Sequence, residues 1–184
     1  MKKLKSIKGI PLSYIQSIFN IDKSSPSGLT WLPRKNKQCN SRFANKTAGS
    51  KNIKKCGYQT WITSITYNGK EYKLKCSRII FLLHHGYLTK GKCIDHEDNN
   101  PLNNKIENLR ESTDFENAHN SKLRKNNTSG HKGVNWDKGS KKWKVQILAN
   151  GKYHYFGLYV NKEDAIKVAI AARKKLHGDF GRIQ

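Results

Sequence analysis

The chain is short of acidic residues: 13 Asp and Glu stand against 36 Lys and Arg, a formal net charge of +23 over 184 residues. So large an excess exceeds ordinary surface balance and makes a polyanion the expected partner, because Lys and Arg bound to phosphates release condensed counterions. Long apolar runs are missing too. No stretch approaches the roughly 20 residues that cross a bilayer, and the basic opening M-K-K-L-K-S-I-K-G lacks the apolar core and cleavage site of a signal peptide. The expectation is an intracellular, non-secreted protein with no membrane association. Paired cysteines are absent: Cys39, Cys56, Cys76 and Cys93 lie 17, 20 and 17 positions apart, with no C-x-x-C. That pattern points to reduced thiols, since zinc knuckles draw their ligands in close pairs. The length suits two small modules, each with a modest core.

The few acidic residues are not spread evenly. Asp95, Glu97, Asp98, Glu107, Glu111, Asp114 and Glu116 supply seven of the thirteen, and only Lys105 and Arg110 offset them between positions 95 and 116. A solvated surface intersperses its signs, whereas a cation site must gather oxygen ligands. The segment 93–117 is therefore the candidate for chemistry on phosphate.

Around it the sequence gives a coarse layout. Residues 11–21 place Pro11 at a helix start, with Leu12, Ile15, Ile18 and Phe19 at helical spacing. The stretch 24–31 supplies turn residues and then a strand-like exit into a core tryptophan, Trp31. Alternation on either side of Asn68-Gly69 predicts a hairpin with a type I′ turn. The apolar run 77–86 predicts a core helix stopped by Gly86. A short strand Lys92–Ile94 leads to Asp95-His96, and a second helix is expected from Ser112, with Thr113 and Glu116 at capping-box spacing. Lys122, Arg124 and Lys125 end that helix before the linker 126–130. From His131 onward three short strands are separated by D-K-G-S and A-N-G-K turns, then a helix capped by Asn161 with Asp164 at its third position. Its stripe of Ala165, Val168, Ala169, Ala172 and Leu176 runs to His177-Gly178. The fold class expected is α+β, the second module being a three-stranded antiparallel sheet on one helix, with Trp136 and Trp143 in its core.

A phosphodiester repels nucleophiles by its charge and has a poor leaving group. His96 can act as general base on water, because an imidazole is substantially neutral at cellular pH. Asp95 is adjacent, so on a strand its carboxylate points the other way and can hold a divalent ion. Asn117 can bring a neutral oxygen to the same ion. The competing reading of these residues is a polar loop with capping side chains, Asn and Asp being common in turns.

Asp95-His96, Asp98-Asn99-Asn100, Asn103-Asn104, Ile106-Glu107-Asn108-Leu109-Arg110 and Asn117 together resemble the HNH (ββα-metal) nuclease motif of phage and intron-encoded homing-type endonucleases. The resemblance implies Asp95 and Asn117 as metal ligands, His96 as base and Asn108 as the residue that orders the loop presenting it. It implies Mg²⁺ or Mn²⁺ as the ion, with zinc not expected. Where many relatives carry His-Arg this chain has Ser77-Arg78, and Asn99 replaces a common loop glycine, which requires it to adopt a left-handed conformation. The segment from Ser129-Gly130 through G-V-N-W, K-W-K-V-Q-I, F-G-L-Y and Leu176-His177-Gly178 is similar to the Apetala-type (ethylene-response-factor) DNA-binding domain, whose members lay the exposed sheet face in the major groove. Alternation puts Trp143, Val145 and Ile147 toward the helix and Lys144, Gln146 and Leu148 outward, with Tyr153 and Tyr155 on the same outer face.

The expected layout is a basic segment with a short helix (1–25), an HNH nuclease domain (26–125), a linker (126–130) and an Apetala-type domain (131–184). The expected activity is metal-dependent cutting of double-stranded DNA by a monomer that nicks one strand, in the host cytoplasm if phage-encoded. Arg78, Lys122, Arg124, Lys125, Asn135, Lys144, Gln146, Tyr153 and Tyr155 are the expected DNA contacts. A non-catalytic DNA-binding regulator and an RNA-binding assembly protein are the competing classes.

Overall fold

Apolar residues in the first hundred positions come in brief runs between Gly, Pro, Asn and Lys, so most elements there are short. In the computed structural model β1 (Lys3–Leu4), β2 (Ser6–Ile7) and β3 (Ile10–Pro11) lead into α1 (Leu12–Ile18), β4 (Phe19–Ile21), β5 (Leu29–Trp31), α2 (Lys37–Phe43) and β6 (Ser50–Ile53). Then come β7 (Gln59–Tyr67), β8 (Lys70–Lys75), α3 (Cys76–His85), β9 (Leu88–Thr89), β10 (Cys93–His96), a 3₁₀ turn (Ile106–Asn108) and β11 (Leu109–Ser112). The last four elements are β12 (Val134–Asp137), β13 (Lys142–Ala149), β14 (Lys152–Tyr159) and α4 (Lys162–His177). The structure describes residues 1–34, 37–114, 116–117, 123, 127–149 and 151–178, with the backbone alone at 37–39. It falls into two units, Met1–Ser112 and Thr113–Gln184.

The first unit is assembled on α3, which packs against α1, β7, β8, β10 and the 3₁₀ turn. Ile79, Ile80 and Leu82 on this helix are at most 1% exposed, and burying each side chain contributes about 2 kcal/mol. Gly86 caps the helix as expected, in the left-handed conformation with its N–H on Leu82 O at 2.8 Å. Strands β6, β7 and β8 form an antiparallel sheet in that order. The β7–β8 hairpin closes through Asn68 and Gly69, both at positive φ (49° and 73°), the geometry a type I′ turn requires.

Two helix boundaries differ from the sequence reading. Helix α1 stops at Ile18, not at residue 21, because Phe19 turns extended and pairs with Trp31 across β4 and β5. The rings of Phe19 and Trp31 lie 4.7 Å apart, so a strand partner overrode local helical spacing. Pro11 occupies the N-cap position, one residue before the first helical turn. Ser112 ends β11 and is fully buried, so the helical turn that follows starts only after Thr113. There the expected capping box forms with both arms: Thr113 N–H to Glu116 Oε2 at 2.6 Å and Glu116 N–H to Thr113 Oγ1 at 3.1 Å.

In the second unit β12, β13 and β14 form an antiparallel sheet in sequence order, and α4 packs on it, chiefly on β13. Val134, Val145, Ala165 and Ala169 are its core, flanked by Trp143, Phe156 and Tyr159. Alanines on the helix stripe let the helix backbone approach the sheet. A bulge between Val145 and Gln146 shifts the register with β14. Asn161 holds the N-cap position of α4, but its side chain makes no cap bond; its amide instead reaches Asp164 Oδ2 at 3.5 Å. Trp136 departs from the expected core position: on the edge strand β12 it is 44% exposed, set edge-on to Trp143 at 5.1 Å. Among the described residues no helix is long and apolar enough to cross a membrane.

Candidate active site

Strands β10 and β11 form a ribbon in which Asp95 faces Arg110 and His96 faces Leu109. The strand begins at Cys93 and runs through His96, two residues beyond the expected Ile94. Alternation sends the Asp95 and His96 side chains to opposite faces, and both are buried, at 7% and 8% exposure. Asp95 Oδ2 accepts from Arg110 Nε and Nη2, both at 3.3 Å, while Arg110 Nη1 donates to Glu97 Oε1 at 3.2 Å. Burying a carboxylate without such a partner would be costly.

The loop between the two strands is ordered by its Asp and Asn side chains. Asp98 accepts from the Asn100 N–H at 2.8 Å, Asn103 Nδ2 at 2.7 Å and Asn108 Nδ2 at 3.0 Å. Asn108 also donates to Asn103 O at 2.8 Å and accepts the Asp98 N–H at 3.0 Å. Burial works against the ionised Asp98, but the bonds from Asn103, Asn100 and Asn108 outweigh it and hold the carboxyl below its ordinary value. Asn99 adopts φ +58°, the left-handed conformation the sequence required of it. Glu97 N–H to Asn108 O at 3.0 Å closes the loop onto the ribbon.

His96 Nε2 meets Asn104 Oδ1 at 3.1 Å, and Asn104 Nδ2 donates to Ser27 O at 2.9 Å. Burial pushes the imidazole pKa down, with Lys75 adding to the shift; the Asn104 bond and the charges of Asp98 and Asp95 act the other way without cancelling it. The ring is therefore mainly neutral at neutral pH, as a proton acceptor must be. Tyr58 is close enough to feel the site: burial first, then the Asp95 charge, raises its hydroxyl pKa.

Asp95, His96 and Asn108 thus lie together within the first unit. Asn117 belongs to the second, in the helical turn after Thr113, with its N–H on Thr113 O at 3.0 Å and its side chain exposed. Arg78 is half-buried on α3. Lys122, Arg124 and Lys125 lie outside the described residues. On the second unit's sheet, cross-strand pairing places Asn135, Lys144 and Leu158 in one row, Gln146 with Tyr155 in the next and Leu148 with Tyr153 in the third. Tyr153 and Tyr155 are 68% and 59% exposed.

Other carboxylates of the acidic segment have structural partners. Glu107 pairs with Lys23 at 2.7 Å, and Glu111 takes both the N–H and hydroxyl of Thr89 at 2.6 Å. Two contacts escaped the sequence reading. Asn104 sat in the motif without a role, and nothing local joins it to Ser27. Arg110 was legible in principle, since counting outward from the loop along both strands pairs it with Asp95. Among the described residues no group of three or more His, Cys, Asp or Glu is arranged to hold a metal. The Asp95 carboxylate is the kind of oxygen donor a hard cation such as Mg²⁺ or Mn²⁺ takes.

Residues 75–119 match a family model described as HNH endonuclease. The chain is also 40% identical over 102 residues to Protein 3.8 of Escherichia phage T7, an overlap covering 54% of this chain and 81% of that protein. No solved structure matches it.

Proposed function

Because the chain belongs to the HNH endonuclease family, we propose that it is a metal-dependent, homing-type DNA endonuclease that nicks one strand, leaving 5′-phosphate and 3′-hydroxyl ends. The observation that carries the reading is the buried, neutral-tending His96 on a strand next to Asp95, whose carboxylate Arg110 holds, presented by a loop that Asn108 ties together. His96 takes a proton from water as the water oxygen attacks phosphorus. The phosphorus–O3′ bond breaks, and the departing 3′ oxygen takes a proton from solvent. Asp95 and Asn117 would hold Mg²⁺ or Mn²⁺, which when bound polarises the phosphate and stabilises the leaving oxygen. Asn108 keeps His96 in place through the loop and touches no reacting atom.

In this reading residues 26–125 are the nuclease domain, preceded by a basic segment (1–25), and a linker (126–130) joins it to an Apetala-type module at 131–184. Asn135, Lys144, Gln146, Tyr153 and Tyr155 on the outer sheet face meet duplex DNA, with Arg78, Lys122, Arg124 and Lys125 on the phosphates. The ring faces offer stacking or groove contact, and the lysine supplies charge. The protein acts as a monomer inside the cell.

The test is relaxation of supercoiled plasmid with Mg²⁺ or Mn²⁺, comparing the full chain with His96→Ala. The wild type is expected to nick and the variant to bind without cutting. Equal nicking by both would remove the catalytic assignment, and binding without cutting by the wild type would favour a regulator.

A further inference from the structure

His96 is a base only if the right ring nitrogen carries the lone pair, and the contacts around Asn104 decide which one does. Asn104 is 6% exposed and Ser27 is fully buried. The partner of the Asn104 amide on one side is Ser27 O, a carbonyl that can only accept, at 2.9 Å. The NH₂ end must face it, which turns Oδ1 toward His96 Nε2 at 3.1 Å. Oδ1 is itself an acceptor, so Nε2 must carry the hydrogen. In the neutral ring the lone pair then lies on Nδ1.

We infer that Asn104 is a positioning residue that locks His96 in its Nε2–H tautomer and thereby makes Nδ1 the atom that accepts the proton, with the 25–28 turn as its anchor. This rests on the reading of His96 as the base. The anchor is firmly built. Ser25 Oγ and Ser27 Oγ both donate to Leu29 O, at 2.7 and 3.1 Å, and the Gly28 N–H donates to Ser25 O at 2.9 Å. Gly28 sits at φ +81°, where a Cβ would come within 2.7 Å of Ile80 Cδ1 and 3.3 Å of Asn104 Cβ. The turn therefore lies close against Asn104, and Ser27 O is held where Nδ2 donates to it. Of the other motif asparagines, Asn103 and Asn108 serve the Asp98 loop, so they do not duplicate this contact.

The experiment is nitrogen-15 NMR of the histidine side chains in the full-length protein, at a pH where His96 is neutral, with the resonance assigned by its loss in His96→Ala. The wild type is expected to show a pyrrole-like Nε2 and a pyridine-like Nδ1. The opposite pattern, or a mixture, overturns the proposal without any variant at Asn104. Asn104→Leu, similar in size and unable to accept, is expected to release the tautomer and lower kcat by on the order of 10²-fold with KM little changed. Asn104→Asp loses the donor to Ser27 O but still accepts from Nε2–H, and is expected to keep the wild-type tautomer in the neutral ring, which a purely structural role for the amide would not predict. An unchanged tautomer in Asn104→Leu overturns the proposal, as does a released tautomer with kcat unaffected. If His96→Ala nicks as the wild type does, the catalytic reading falls, whatever the spectra show about Asn104.

Discussion

Replacing Asn108 tests whether the loop that presents His96 is held by its amide or merely passes by it. Asn108→Ala removes three bonds: Nδ2 to Asp98 Oδ1 at 3.0 Å, Nδ2 to Asn103 O at 2.8 Å, and the Asp98 N–H to Oδ1 at 3.0 Å. A net hydrogen bond is worth about 1 kcal/mol and Asp98 is exposed, so the expected loss is about 2 kcal/mol rather than three full bonds. Asn108→Asp is nearly isosteric but sets a second carboxylate against Asp98, so at neutral pH it should be the worse of the two. The pH dependence has opposite signs in the two proteins. In the wild type the Asp98 pKa is lowered on folding, so its contribution is present above the unfolded carboxyl pKa and is lost as pH falls through the folded one. In Asn108→Asp the crowded pair binds a proton more tightly than it does unfolded, so stability is lost as pH rises through the pair's raised pKa. Urea unfolding at about pH 3, pH 5 and pH 7, with exchange of the Asp98 amide followed by NMR, reads both effects. Asn108→Asp as stable as wild type at pH 7, or an Asp98 amide equally protected in Asn108→Ala, would refute the reasoning.

Two further outcomes follow from the same structure. Cys76 is fully buried and burial pushes its thiol up to about 12, whereas Cys56 is exposed. A thiol reagent at pH 8 should label Cys56 and spare Cys76 in the folded protein. Because the Cys76 pKa is raised, its contribution to stability is present at neutral pH and lost as pH climbs past the ordinary thiol value of 9.0 toward 12. Prompt labelling of Cys76 would contradict its place in the core. On the second unit, Lys144→Ala should weaken duplex binding across unrelated sequences and lower the log–log salt slope by about 1. Gel shifts at two or more salt concentrations check this, and an unchanged slope would take Lys144 off the phosphate.

What the sequence made legible was set by local chemistry. The Asn68-Gly69 turn, the Gly86 stop, the Thr113–Glu116 box and the left-handed Asn99 each follow from what a few neighbouring residues can adopt, and each is present. The three strands and helix of the second unit were legible because alternation, turn dipeptides and an alanine stripe agree. Contacts made by distant partners were not. The end of α1 depends on β5, which supplies the strand that Phe19 joins. Asn104 meets Ser27 across 77 positions of chain, and no periodicity encodes that distance. Asp95 and His96 stand out as residues able to do chemistry, yet Asn104, which meets the His96 ring, is visible only once the 25–28 turn is folded.

Gly28 makes no contact with DNA in any reading of this chain, yet it marks where the protein will not tolerate redesign. A turn of Ser, Pro and Gly near the surface invites use as a place to graft a tag, an epitope or a domain. Here the missing side chain is space already occupied by Ile80 and Asn104. A library that varies residues 25–28 for expression or solubility would also be selecting, unseen, on the histidine at position 96.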